Sequence, residues 1–133
     1  MTLPRYASLM LLLSLALPAM GRAAEIDWSK AESVTVVMTE YQFAPSAVSL
    51  RRGVPYRLHL ENRGKELHEF TAAAFFRSAS VRNPEVLANG GIEVVAQPGE
   101  TKDVYLVANE AGRFPLSCAD HDWEGMVGDI TVK

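Results

Sequence analysis

An antiparallel β-sandwich is the fold class this sequence predicts, and three observations predict it. Short stretches alternate apolar and polar residues; the clearest is Pro55 to Asn62, where Tyr56, Leu58 and Leu60 point one way and Arg57, His59 and Glu61 the other. Between the stretches lie turn-forming clusters: Arg51-Arg52-Gly53, Asn62-Arg63-Gly64-Lys65, Pro98-Gly99-Glu100 and Glu110-Ala111-Gly112. The turns recur at regular spacing, which suits many short strands and leaves room for only one short helix.

Each element follows in order. Residues 1–23 read as a secretory signal, with Arg5 as its positive start, Leu9 to Ala19 as an apolar run broken by Ser14 and Pro18, and Gly21-Arg22-Ala23 as a small-residue cleavage site. The apolar run is short for a membrane span, so no stable insertion is expected after cleavage, although an uncleaved anchor stays open. Cleavage after Ala23 leaves one domain, residues 24–133. Ser33 to Glu40 alternates, with Val34, Val36 and Met38 on one face; a core role suits Met38. Tyr41 to Pro45 reads as a corner, Ala47 to Leu50 as a strand and Pro55 to Asn62 as the next. Leu67 to Thr71 is a strand carrying His68.

Residues 72–90 break the alternation, and Asn83 before Pro84, with Gly90 as a stop, predicts one short helix there. Phe70, Phe75 and Phe76 are expected to pack over an end of the sandwich. Gly91 to Gln97 and Thr101 to Ala108 are strands. Phe114, Leu116 and Cys118 share a face of the following strand, and Pro115 within it argues for an edge or a bulge. Asp129 to Lys133 closes the chain with Ile130 and Val132 inward.

Charge limits the partners. The chain carries 13 basic and 16 acidic residues, and the signal holds two of the basic ones and none of the acidic, so the net charge moves from −3 to −5 on cleavage. A surface of that sign does not suit nucleic acid. It suits a cationic protein partner.

The chemistry concentrates around the single cysteine. Cys118 opens the run Cys118-Ala119-Asp120-His121-Asp122-Trp123-Glu124-Gly125-Met126, and His68 lies fifty residues upstream. In an exported protein an unpaired thiol is anomalous. A buried inert thiol or an intermolecular disulfide would account for the cysteine, but neither accounts for His121 and Met126 beside it. Soft sulfur with two imidazoles is the donor set of a mononuclear copper electron-transfer site. Nucleophilic catalysis has no use for a methionine in the same loop, so an enzyme is not expected. Structural zinc would favour more thiolates. A dinuclear copper centre would need a second cysteine.

The chain resembles the cupredoxins, close in loop spacing to plastocyanins and pseudoazurins. The matching stretches are Asn62-Arg63-Gly64, His68-Glu69-Phe70, Gly112-Arg113-Phe114 and Cys118-x-x-His121-x-x-x-Gly125-Met126-x-Gly128-Asp129-Ile130-Thr131-Val132. The resemblance covers the whole mature chain. It implies a Greek-key β-sandwich holding one copper ion that cycles between Cu(I) and Cu(II). His68, Cys118 and His121 would be the strong ligands, Met126 the weak axial one, and His121 the surface port for electrons. Each imidazole is expected to donate its second N–H to a carbonyl or a water.

Two departures from the family pattern stand out. Where many cupredoxins have Asn after the first histidine, this chain has Glu69. That Asn ties the upstream strand to the cysteine loop; Glu69 either tunes the site or, as neighbours on a strand face opposite ways, lies on the surface, and the alternation favours the surface. The loop also carries Asp120, Asp122 and Glu124 around His121, read either as a solvated rim or as steering for a basic partner, with Trp123 as an apolar contact. His59 is expected to be exposed. The resulting expectation is a monomeric periplasmic one-electron carrier that meets a redox protein, such as a basic c-type cytochrome. The alternative is a periplasmic copper-tolerance protein that sequesters or delivers the ion.

Overall fold

A computed structural model describes residues 1–2, 21 and 23–133. The expected apolar run of the signal lies outside the described residues. Among the described residues no helix is long and apolar enough to cross a membrane.

Among the described residues ten strands form two five-stranded sheets. In chain order they are β1 (Glu32–Thr39), β2 (Gln42–Ala44), β3 (Ala47–Leu50), β4 (Pro55–Asn62), β5 (His68–Thr71), β6 (Ala79–Val81), β7 (Glu93–Ala96), β8 (Thr101–Ala108), β9 (Gly112–Ser117) and β10 (Val127–Val132). One sheet runs β2-β1-β4-β8-β6 and the other β3-β10-β9-β5-β7. The sandwich is as the sequence predicts, with one refinement. Most pairs are antiparallel, but β1 runs parallel to β4 and β3 parallel to β10. Alternation shows which face a residue takes and carries no information about the direction of its neighbour.

The alternating residues meet between the sheets. Val36, Met38, Tyr56, Leu58 and Leu60 from one sheet face Phe70, Val94, Leu116, Ile130 and Val132 from the other, all buried. Phe70 packs edge-on to Phe43 at 5.8 Å and to Phe76 at 6.2 Å, so these rings belong to the core itself. Pro115 pairs with Asp129 of β10, and β9 meets β5 only at Thr71–Ser117. At Pro115 one side of the strand is therefore unpaired, where a missing N–H costs nothing.

Three local expectations change. Tyr41 to Pro45 is no simple corner, because Gln42–Ala44 folds back onto β1 as β2. The one short helix lies within residues 72–90 as expected, but it is α1 (Ala73–Ser78), and Asn83-Pro84 begins only a single 3-10 turn, Pro84–Val86. Asn83 does not cap that turn; its amide donates to the Asp103 carbonyl and its oxygen accepts the Tyr105 N–H, both on β8. His59 is only partly exposed, because its ring lies between Asp103 and Glu61 on the outer face.

Candidate metal centre

The site forms at one end of the sandwich, where β5 and the β9–β10 loop come together. His68 opens β5, and Cys118 follows the last residue of β9. The loop from Cys118 to Met126 is closed by its own backbone: the Cys118 N–H donates to the Met126 carbonyl at 3.0 Å, His121 N–H to the Cys118 carbonyl at 3.1 Å and Met126 N–H to the His121 carbonyl at 3.2 Å. A 3-10 turn at Asp122–Glu124 ends at Gly125, whose φ of 85° suits glycine.

This scaffold brings His68, Cys118 and His121 together, with one donor atom from each within 4.8 Å of the others. Cys118 Sγ lies 4.0 Å from His68 Nδ1 and 3.4 Å from His121 Nδ1. Bonds of about 2.0–2.1 Å to nitrogen and about 2.3 Å to thiolate, typical of a small divalent ion, would space trigonal donors roughly 3.6–3.8 Å apart. The observed separations bracket that value, so the three residues fit an ion without rearrangement of the backbone. Met126 lies fully buried at the end of the same loop. Cys118 is also fully buried. Burial pushes its thiol up, and the Glu69 carboxylate adds to the rise, against N–H groups from Glu69, Asp120 and His121 that pull it down. A neutral, enclosed thiol is the opposite of an activated nucleophile.

Glu69 overturns the surface reading. It is 8% exposed. Its Oε2 accepts the Asp120 N–H at 2.9 Å and sits 3.7 Å from Cys118 Sγ, while its own N–H donates to that sulfur at 3.3 Å. Glu69 thus ties β5 to the cysteine loop. The alternation rule implied water beside it, but the cysteine loop covers β5 at this position. The burial along His68-Glu69-Phe70 is continuous.

Sequence reasoning missed three residues that touch the histidines. Glu40, at the end of β1, places Oε1 3.1 Å from His68 Nε2. The same oxygen accepts the N–H groups of Lys65 at 2.6 Å and Glu66 at 3.0 Å. The Glu66 N–H is the main cause holding the Glu40 carboxyl down to about 2; desolvation opposes it, and Lys65 and His68 assist. Gly64 makes the room, since a Cβ there would fall 2.1 Å from Glu40 Oε1 and 2.9 Å from His68 Nε2. Glu66 places Oε2 2.9 Å from His121 Nε2 and takes the Tyr41 hydroxyl on Oε1 at 3.1 Å. The Tyr41 ring lies over His121 at 4.8 Å. Desolvation, with Glu66 and Glu124 nearby, raises the Tyr41 phenol to about 12. Nothing local marks these residues, because each reaches its histidine through register and loop shape. The outer nitrogens therefore meet carboxylates, where a carbonyl or water was expected.

The rim is acidic and carries one large apolar group. Asp120 and Asp122 are exposed, and Trp123 is 76% exposed with its N–H held by the Asp120 carbonyl at 3.0 Å. His121 itself shows only 13% of its side chain, beneath Tyr41 and Glu66.

The cupredoxin-like domain family matches residues 7–132, and the chain belongs to that family. No curated protein sequence matches it. Among solved structures it is similar to auracyanin B, with 18% identity, a TM-score of 0.58 and coverage of 78% of this chain and 90% of that one. It is also similar to dithionite-reduced auracyanin from the photosynthetic bacterium Roseiflexus castenholzii, with 12% identity, a TM-score of 0.58 and coverage of 77% and 98%. A third likeness is to the metal-binding domain of the Cu(I)-exporting P-type ATPase CopA of Streptococcus pneumoniae D39 with Cu(I), at 16% identity, a TM-score of 0.50 and coverage of 83% and 92%. At these identities the likenesses establish the fold.

Proposed function

We propose that this chain is a periplasmic, monomeric, mononuclear copper protein that carries one electron between redox partners. The observation that supports it is the convergence of His68 Nδ1, Cys118 Sγ and His121 Nδ1 in a member of the cupredoxin-like family. His68, Cys118 and His121 are the strong ligands of this reading, and Met126 the weak axial one. A copper ion would supply a one-electron couple that a thiolate and two imidazoles accommodate in both states. The residues do the rest. His68 is held by β5 and Cys118 by the start of the loop, so the sheets fix the donors before metal arrives. The core around Cys118 and Met126 excludes water.

Electrons would pass at the His121 edge. The acidic residues Asp120, Asp122 and Glu66 would attract a basic redox protein such as a c-type cytochrome, and Trp123 would give it an apolar contact. The periplasmic location is carried by residues 1–23 alone.

Visible and paramagnetic spectra of the copper-loaded protein test the site. An intense thiolate-to-copper band is expected, and Cys118→Ala should remove it; a wild-type protein that binds copper without that band would overturn the proposal. A second reading, copper sequestration or delivery, draws on the likeness to the metal-binding domain of a Cu(I)-exporting ATPase. Fast electron exchange with a basic cytochrome, slowed by salt, supports the carrier. A copper-sensitive deletion strain with normal respiration supports the handler.

A further inference from the structure

The two carboxylates behind the histidines carry an inference that rests on the copper reading above and deepens it. Each imidazole is engaged at both nitrogens. Nδ1 of each faces Cys118 Sγ, at 4.0 Å for His68 and 3.4 Å for His121. Nε2 of each faces a carboxylate oxygen, at 3.1 Å on Glu40 and 2.9 Å on Glu66. An ionised carboxylate only accepts hydrogen bonds, so the ring nitrogen that meets it must carry the proton. The other nitrogen is then bare and turned toward the thiol.

Both carboxylates are themselves fixed. Glu40 Oε1 is held by the Lys65 and Glu66 N–H groups, and the missing side chain of Gly64 lets it approach His68. Glu66 is held through its second oxygen by the Tyr41 hydroxyl, and its backbone is held by Glu40. Among the described residues, neither carboxylate has a Lys or Arg ion-pair partner that would cancel its charge. Glu69 Oε2 adds a third acidic group 3.7 Å from the sulfur.

We propose that Glu40 and Glu66 are positioning residues that set the tautomer of both histidines in advance and bias the bound copper toward its more highly charged state. Carboxylates behind metal-binding histidines orient the rings and raise their basicity. Oxidation of the ion adds one positive charge, and two anions one imidazole away stabilise the product more than the reactant. The midpoint potential is therefore lower than the same donor set would give with its outer N–H groups on neutral carbonyls.

The experiment uses the mature chain with Glu40→Gln and Glu66→Gln. Glutamine keeps an acceptor oxygen and removes the charge, so a merely structural role is rescued and an electrostatic one is not. Metal-free wild type should show Nε2–H, Nδ1-bare rings at positions 68 and 121 by nitrogen-resolved NMR; a proton on Nδ1 would overturn the orienting role. Each variant should lose more affinity for Cu(II) than for Cu(I); if the roughly tenfold loss at the low end for such groups falls on Cu(II) alone, the two affinities shift apart by that factor. For a one-electron couple that raises the potential by about 59 mV. Folded variants that keep the thiolate band and an unshifted potential overturn the electrostatic role. If Glu40→Gln does not fold, the more exposed Glu66 carries the test. A wild type lacking the thiolate band defeats the copper reading and the potential bias together, while the tautomer result still stands on metal-free protein.

Discussion

Removing the Glu69 tether should cost the domain more than its position on a short strand suggests. Glu69→Ala deletes the acceptor of the Asp120 N–H, a charge-assisted bond at 2.9 Å made by a side chain that is 8% exposed. Hydrogen bonds to charged groups contribute about 1.5–3 kcal/mol net. Losing one buried methylene adds about 0.8 kcal/mol. Relief of the carboxylate's own desolvation offsets part of this, which leaves about 2 kcal/mol. For a domain of about 110 residues an unfolding entropy near 2.1 cal/mol/K per residue converts this to a fall in Tm of roughly 9 °C. Glu69→Gln keeps the acceptor with a neutral bond and should lose about half as much. The assay is thermal melting with a chelator present, since bound metal would stabilise the folded state by mass action and hide the difference. Glu69→Ala melting within about 2 °C of wild type, or Glu69→Gln melting as low as Glu69→Ala, would refute the tether.

Other perturbations follow from the same geometry. Gly64→Ala would drive a methyl into Glu40 and the His68 ring, and a weaker copper affinity with a shifted thiolate band should appear in a metal titration followed by absorbance. Gly128→Ala would place a Cβ 2.2 Å from the Ser46 carbonyl, which is backbone and cannot swing away, so denaturant melts should show a loss of about 1–3 kcal/mol. Trp123→Ala removes an exposed ring and should leave stability within about 0.5 kcal/mol while slowing electron exchange with a basic cytochrome in stopped flow. Asp103 gives a pH signature away from the site. Burial raises its pKa, but the paired bonds from Arg57 and the contact with His59 outweigh that and hold it below the usual value. Its stabilisation is therefore present above the unfolded carboxylate value of about 3.9 and fades as pH falls through the lower folded value. Asp103→Asn should cost about 0.5–1 kcal/mol at neutral pH, at the small end because the pair is screened by water, and the gap in melts should close below pH 4.

The strands were legible because their burial is periodic. Tyr56, Leu58 and Leu60 alternate with Arg57, His59 and Glu61, and the structure buries the first set and leaves the second on the outer face. The metal loop was legible for a different reason: His121 and Met126 stand close to Cys118 in sequence, and the backbone bonds that close the loop join those same three residues. Helix α1 falls in the segment where the alternation breaks, but its start was not legible. Ala72 offers it no side-chain cap, and what holds it is the burial of Phe75 and Phe76 against rings from elsewhere in the chain. Asn83 misled in the opposite sense, since a residue suited to capping a helix bonds across to β8 instead.

Glu69, Glu40 and Glu66 show where a local rule stops. Alternation decides which side of a strand a residue takes, but not what lies on that side. Position 69 faces the cysteine loop and not water, because the loop returns over β5 from fifty residues away. Glu40 and Glu66 read as ordinary polar ends of a strand and a turn until β1 and the β4–β5 loop meet above the histidines. Glu69 is buried, while Glu40 and Glu66 keep contact with water and are held by hydrogen bonds. Three carboxylates thus approach one thiol and two imidazoles. The donor set alone reads as one that could hold a soft metal ion. The carboxylates behind it come together only in the tertiary structure.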